Sequence, residues 1–250
     1  MARIAIVGIG RWGKNLLREF NKICDVAVCC SRGNKNNIKW LKNNYPNVKS
    51  TLDYNKILKD KTINAVVIAT PIDSHFDLAY KALKAGKHVF VEKPMAKNVA
   101  DANALIRMAK KQKLTLVVGH IFLYHPVFKK IKEIASKNQI IYAKFSWNRL
   151  GTFEEDILWN LVSHDVSMAI EMFGGLPNGS VIDEKGFITE GDIASVKLNF
   201  KNNRRCLINI NRVSNVKNKS VTLATKNDMF LWEDNALYKI DKRKYSFNLV

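Results

Sequence analysis

The sequence has little with which to build a metal centre or a disulfide framework. Its four cysteines, Cys24, Cys29, Cys30 and Cys206, follow no ligand or framework spacing, so no metal site is expected. Cys29 and Cys30 close an apolar run, where free thiols behave as small hydrophobes, and this usage fits a reducing compartment. No apolar run approaches the ~20 residues that a membrane-spanning helix needs. The apolar N-terminal piece contains Gly8 and Gly10 and runs on into the fold, so no signal peptide and no membrane association are expected, and a cytoplasmic protein is.

Acidic residues are scarce as well: 22 Asp and Glu stand against 41 Lys and Arg, a formal charge of +19. A nucleic-acid-binding protein gathers such an excess into a stripe or tail. Here the lysines are spread from Lys14 to Lys244 and interleaved with asparagine, as in Lys201-Asn202-Asn203-Arg204-Arg205. No nucleic-acid partner is expected; the charge argues for solubility and for attraction of an anionic ligand. A hydrophobic content of 47% over 250 residues gives one large or two modest globular domains.

What is present begins at the third residue. Arg3-Ile4-Ala5-Ile6-Val7 runs into Gly8-Ile9-Gly10-Arg11-Trp12-Gly13 and then into Lys14-Asn15-Leu16-Leu17-Arg18-Glu19-Phe20: strand, glycine turn, helix. A dinucleotide pyrophosphate needs this order. Gly8 permits the tight turn, Gly10 lets backbone approach the phosphates, and Gly13 lets the helix pack closely on the strand. Arg11 and Trp12 ride in the same turn, at a helix N-terminus that offers N–H groups and partial positive charge to an anion.

Apolar strands alternate with helical segments through the first half: 2–7, 26–30, 65–69, 88–91 and 114–118 are the strands, and 14–20, 38–41, 54–58, 77–85 and 100–110 the helices. The strands are β-branched and nearly continuous, as buried parallel strands are. This predicts a doubly wound Rossmann-type sheet over 1–118. Gly86 is placed to stop a helix in the left-handed conformation. From 119 the rhythm changes. A helix over 127–135, a strand over 140–147 and a helix over 156–173 closed by Gly174-Gly175 are followed by strands at 194–200, 205–211, 220–225, 229–233 and 236–240. Residues 119–250 therefore read as an α+β domain with an open, largely antiparallel sheet carrying helices on one face.

Two further motifs fall at carboxyl ends of parallel strands, where open sheets bind ligands. Thr70-Pro71-Ile72-Asp73-Ser74-His75 follows the third strand, and Glu92-Lys93-Pro94 the fourth. A residue before proline is held extended, and its bond to Pro94 can be cis. A lysine so held beside a nicotinamide can stabilise a developing alkoxide. In the second half, Trp159-Asn160-Leu161-Val162-Ser163-His164-Asp165 puts Asn160 and His164 on one face at α-helical spacing, and histidine suits proton exchange near neutral pH. His75, His88, His120 and His125 compete for that role.

Together, Gly8-x-Gly10-x-x-Gly13, Thr70-Pro71 with His75, Glu92-Lys93-Pro94 and Trp159-Asn160-x-x-x-His164-Asp165 resemble the glucose-fructose oxidoreductase, inositol dehydrogenase and MocA family. The stretch Val118-Gly119-His120-Ile121-Phe122-Leu123-Tyr124 is similar to members encoded with polysaccharide and nucleotide-sugar genes. The resemblance implies an NAD(P)-dependent oxidoreductase acting on a sugar, cyclitol or nucleotide sugar, with Lys93 and His164 as catalytic pair, Asn160 beside them, and the turns at Gly8–Gly13, Thr70-Pro71 and Glu92-Lys93 around the cofactor. It also implies a C-terminal sheet that pairs in homodimers or homotetramers. Two departures stand out. Asn160 replaces the family's usual aspartate, and family chains usually continue well past Val250. Both features suit an alternative, a dinucleotide-binding sensor or interaction protein of the same fold that has lost its chemistry. Cofactor choice is read at the end of the second strand, where Cys29-Cys30-Ser31-Arg32 offers no acidic residue to an adenosine ribose. Ser31 and Arg32 suit a 2′-phosphate, which favours NADP over NAD.

Overall fold

The computed structural model describes residues 1–151, 153–241 and 243–250. It divides into two compact units, Met1–Gly119 and His120–Val250. Among the described residues no helix is long and apolar enough to cross a membrane.

In the first unit, the elements follow in the order β1 (Arg3–Val7), α1 (Arg11–Phe20), β2 (Asp25–Cys30), α2 (Lys35–Asn44), β3 (Lys49–Thr51), α3 (Tyr54–Lys59), β4 (Ala65–Ile68), α4 (His75–Lys84), β5 (His88–Val91), α5 (Val99–Gln112) and β6 (Leu116–Val118). The strands form a six-stranded parallel sheet in the order β3-β2-β1-β4-β5-β6. Strand order reverses between β1 and β4, which opens a crevice at their carboxyl ends. Burial explains the apolar runs: Ile4, Ile6 and Val67 pack with Leu17 and Leu41 on one face, while Ala5, Val66 and Ile68 pack with Ala79, Leu83 and Leu105 on the other. Gly86 ends α4 at φ +76, as its position suggested. One strand was not foreseen, β3, three polar residues at the sheet's edge.

The second unit begins with a 3-10 turn (Ile121–Tyr124) and continues through α6 (Pro126–Lys137), β7 (Ile140–Leu150), a π-helical turn (Leu158–Val162), α7 (Ser163–Phe173), β8 (Gly179–Lys185), β9 (Ile193–Phe200), β10 (Arg204–Asn211), β11 (Val213–Thr225), β12 (Met229–Glu233), β13 (Ala236–Asp241) and β14 (Ser246–Leu249). Its eight strands run β14-β13-β12-β11-β7-β10-β9-β8. Among the described residues every pair is antiparallel except β10 with β7. Alternate strand residues, Ala143 and Phe145, Val196 and Leu198, Cys206 and Ile208, Val221 and Leu223, form one core with Phe128 and Ile131 of α6 and Met168 and Met172 of α7. The opposite face carries Val181, Lys197, Leu207, Lys144, Thr222, Leu231, Tyr238 and Leu249 in register across all eight strands. The continuous helix read over 156–173 is corrected here. Asp156 Oδ1 accepts from the backbone N–H groups of Leu158 (2.9 Å) and Trp159 (3.0 Å), a wide π turn follows, and the α-helix starts only at Ser163. Asn160 lies in that wide turn, so the four-residue spacing to His164 is not that of a regular α-helix.

Candidate active site

Around β1 the glycines do what tight backbone packing requires. Gly8 sits at φ +91, its N–H donates to Cys30 O (2.8 Å), and a Cβ there would run into the Ala69 carbonyl. A Cβ on Gly13 would collide with the Gly8 carbonyl, so the close approach of α1 to β1 depends on it. Gly10 differs: nothing lies within 4 Å of the position a Cβ would take. Among the described residues no side chain caps α1 and no acidic residue stands in its first turn. An extended glycine facing open space, before an uncapped helix N-terminus, fits a pyrophosphate. Arg11 and Trp12 are exposed in that first turn, Trp12 by 54%.

The turn after β2 holds Ser31, whose Oγ accepts from Gly33 N (3.2 Å), and an exposed Arg32. Asp53, which caps α3 by accepting from Asn55 N (2.9 Å), acts on this corner too: burial and its negative charge push the Cys30 thiol up. The segments after β4 and β5 are tied by His75. Its Nε2 lies 2.7 Å from Thr70 O and its Nδ1 2.8 Å from Pro94 O, in a ring only 2% exposed. His75, expected around the cofactor, thus sets each ring nitrogen against one of the protein's own carbonyls, and the ring lies between Thr70-Pro71 and Lys93-Pro94. The Lys93–Pro94 bond is cis. Glu92 packs its carboxylate over Gly119, where a Cβ would stand 3.1 Å from it. Burial pushes that carboxyl up, against a bond from Lys93 N (3.3 Å) and the Lys93 charge.

In the second unit His164 and Asp165 are buried in the first turn of α7. The His164 ring meets Phe122 edge-on at 5.0 Å between centroids. Asp165 is 1% exposed and faces Lys219 of β11, Oδ1 to Nζ 4.0 Å. Burial pushes its carboxyl up to about 6, against the pull of Lys219, and burial lowers Lys219 in turn. The Lys219 ammonium stands 3.4 Å from the centre of the Phe122 ring and 4.3 Å from that of Trp147. A cavity of about 530 Å³ opens beside it, between Phe122, His125, Trp232 and Asp234. The segment ahead of the π turn is pinned by a buried Arg212, which donates to Glu155 O (2.6 Å) and Thr189 Oγ1 (2.7 Å) and pairs with Asp192. Although burial opposes it, hydrogen bonds from Thr189, Ile188 and Phe187 hold the Asp192 carboxyl below the usual range. Neither Lys219 nor Arg212 was singled out from sequence. The signal for Lys219 was its place two residues before Val221 and four before Leu223, an inward position of a strand taken by a cation.

A family model described as an oxidoreductase family with an NAD-binding Rossmann fold matches residues 2–120. Over this stretch, just under half of the chain, the sequence is similar to the Gfo/Idh/MocA family. Among its relatives, the myo-inositol 2-dehydrogenase of Thermotoga maritima is 30% identical over 140 residues, 55% of this chain and 42% of that protein. The UDP-N-acetylglucosamine 3-dehydrogenase of Acidithiobacillus ferrooxidans is 29% identical over 117 residues, 46% of this chain and 37% of that protein. The matched stretch thus spans less than half of either curated relative. The crystal structure of the latter enzyme superposes at a TM-score of 0.90 over 99% of this chain and 82% of that one, with 20% identity. An oxidoreductase from Agrobacterium radiobacter, solved with NAD+, L-tartaric acid and magnesium, gives a TM-score of 0.88 at 17% identity over 100% of this chain and 79% of that one. These likenesses establish the fold, a parallel Rossmann sheet followed by a largely antiparallel open sheet.

Proposed function

We propose that this chain is a member of the Gfo/Idh/MocA family and an NAD(P)-dependent dehydrogenase acting on a secondary hydroxyl or ketone of a sugar, cyclitol or nucleotide sugar. The observation that carries the reading is the glycine turn at the β1/β4 switch point, with open space at Gly10 before an uncapped α1. Gly8, Gly10, Arg11, Trp12 and Gly13 cradle the pyrophosphate, Ser31 and Arg32 take the adenosine ribose end, and Thr70, Pro71 and Glu92 line the same carboxyl edge. A bound nicotinamide supplies the hydride donor or acceptor. Lys93 orients the reacting oxygen and stabilises negative charge on it, and His164 exchanges its proton. Asn160 hydrogen-bonds in place of the carboxylate usual at its position. The sugar-type substrate is supported by the relatives' activities; a cytoplasmic location by the cysteine usage. The open row from Val181 to Leu249 supports pairing of second sheets in a homodimer or homotetramer, which light scattering tests directly.

Titration with NADPH and NADH by tryptophan fluorescence, then turnover on a panel of sugars, cyclitols and nucleotide sugars from about pH 5.5 to 9, tests the reading. Expected are cofactor binding, turnover on a panel member, a large loss in His164→Ala and a changed pH profile in Asn160→Asp. Tight cofactor binding without turnover in the wild type and in both variants would instead establish the sensor alternative.

A further inference from the structure

Buried ion pairs seldom add stability, because desolvating two charges costs more than their attraction returns unless hydrogen bonds complete the geometry. Asp165 and Lys219 are an extreme case. Their charged atoms are 4.0 Å apart, and among the described residues neither Asp165 oxygen nor Lys219 Nζ has a hydrogen-bond partner. An apolar pair of similar size would fit this core at lower cost. The pair does stand next to His164. Asp165 adjoins it in the chain, and the Phe122 ring that His164 meets edge-on at 5.0 Å is the ring whose face carries Lys219 at 3.4 Å. One aromatic ring therefore fixes the imidazole and the ammonium together, with Trp147 closing over the ammonium at 4.3 Å.

We propose that Lys219 and Asp165 are positioning residues that hold the His164 ring in place and set its proton balance by presenting a compensated pair of charges beside it. The proposal rests on the reading of His164 as the proton-exchanging residue. The other groups in reach are few in kind. Cys206 of β10 faces Asp165 but burial pushes its thiol up, so it stays neutral. β7 presents Ala143, Phe145 and Trp147 here. His120 and His125 flank the 3-10 turn, and Lys132 of α6 pairs with Glu171 in the last turns of α7.

The test is an NMR titration of the His164 imidazole in the whole protein without cofactor, with His164→Asn to assign the resonance. Asp165→Asn, which keeps the side chain's shape, leaves the Lys219 cation uncompensated and is expected to lower the His164 midpoint by about one pH unit. Asp165→Asn with Lys219→Met removes both charges and is expected to return the midpoint most of the way to its wild-type value. Lys219→Arg is expected to leave it near wild type. A His164 midpoint that does not move in a folded Asp165→Asn protein overturns the proposal, whatever the stability of that variant. Because the titration needs no substrate, it separates this failure from failure of the dehydrogenase reading: a moved midpoint in a protein without turnover leaves the pair in place and refutes only the reaction. With a substrate in hand, the acid limb of the pH profile for kcat/KM is expected to move with the midpoint.

Discussion

At the residue scale, the sharpest assignment is Lys93. If it stabilises charge on the reacting oxygen, Lys93→Ala should cost at least about a hundredfold in turnover, roughly 2.7 kcal/mol, while the dissociation constant for cofactor stays near wild type. A near-normal rate on a true substrate would remove the lysine from the chemistry. Arg32 gives an equally separable expectation. Arg32→Ala should weaken NADPH by about 1.5–3 kcal/mol, the scale of hydrogen bonds to charged groups, and leave NADH nearly unchanged. Equal losses would mean no 2′-phosphate contact, and the negative charge of Asp53 near that corner makes the comparison informative. Residues such as Gly8, Gly13 and Glu92-Lys93-Pro94 were legible because their reasons are local: a turn, a close approach, a strand end. Lys219 and Arg212 were not, since each takes its meaning from partners far away in sequence, Asp165 for one and Glu155, Thr189 and Asp192 for the other.

At the element scale, the two turn glycines should fail differently. Gly8 combines φ +91 with a blocked Cβ position, so Gly8→Ala should destabilise the first unit by at least about 2 kcal/mol. Gly10 is extended, at φ −72 and ψ −163, and faces open space. Gly10→Ala should therefore unfold at the wild-type denaturant midpoint and yet bind cofactor at least about tenfold more weakly, since the methyl occupies the phosphate approach. Denaturation and fluorescence titration on the same two preparations decide it; loss of stability in both variants would make the turn merely structural. The strands that sequence reading missed share one property. β3, β8 and β14 are all edge strands, and β8 is exposed along its whole length, so none carries the apolar run that betrays a buried strand. The π turn escaped for a different reason: its apolar residues satisfy an α-helical pattern, and Asp156 ahead of it accepts from Leu158 and Trp159 as an ordinary helix N-cap does.

At the scale of the whole molecule, the charge of +19 and the buried Asp165 act on stability in opposite directions as pH changes. Acid protonates surface carboxylates, raises an already large positive charge and loosens the compact state by self-repulsion. Asp165 works the other way. Burial lifts its folded carboxyl to about 6 from an ordinary value of 3.8, so between those values the native state holds a proton that the unfolded chain has released. Its contribution is therefore greatest below about pH 4, declines as pH rises through that window, and is gone above the folded value, a total of about 3 kcal/mol. The self-repulsion is common to the wild type and Asp165→Asn; the carboxyl's decline is not. Denaturant unfolding of both proteins at about pH 4, 5, 6 and 7, followed by circular dichroism, should show the stability of wild type relative to Asp165→Asn falling across the series and levelling near pH 7. A difference that stays constant with pH would mean that Asp165 is charged throughout, and its pairing with Lys219 much stronger than their 4.0 Å separation allows.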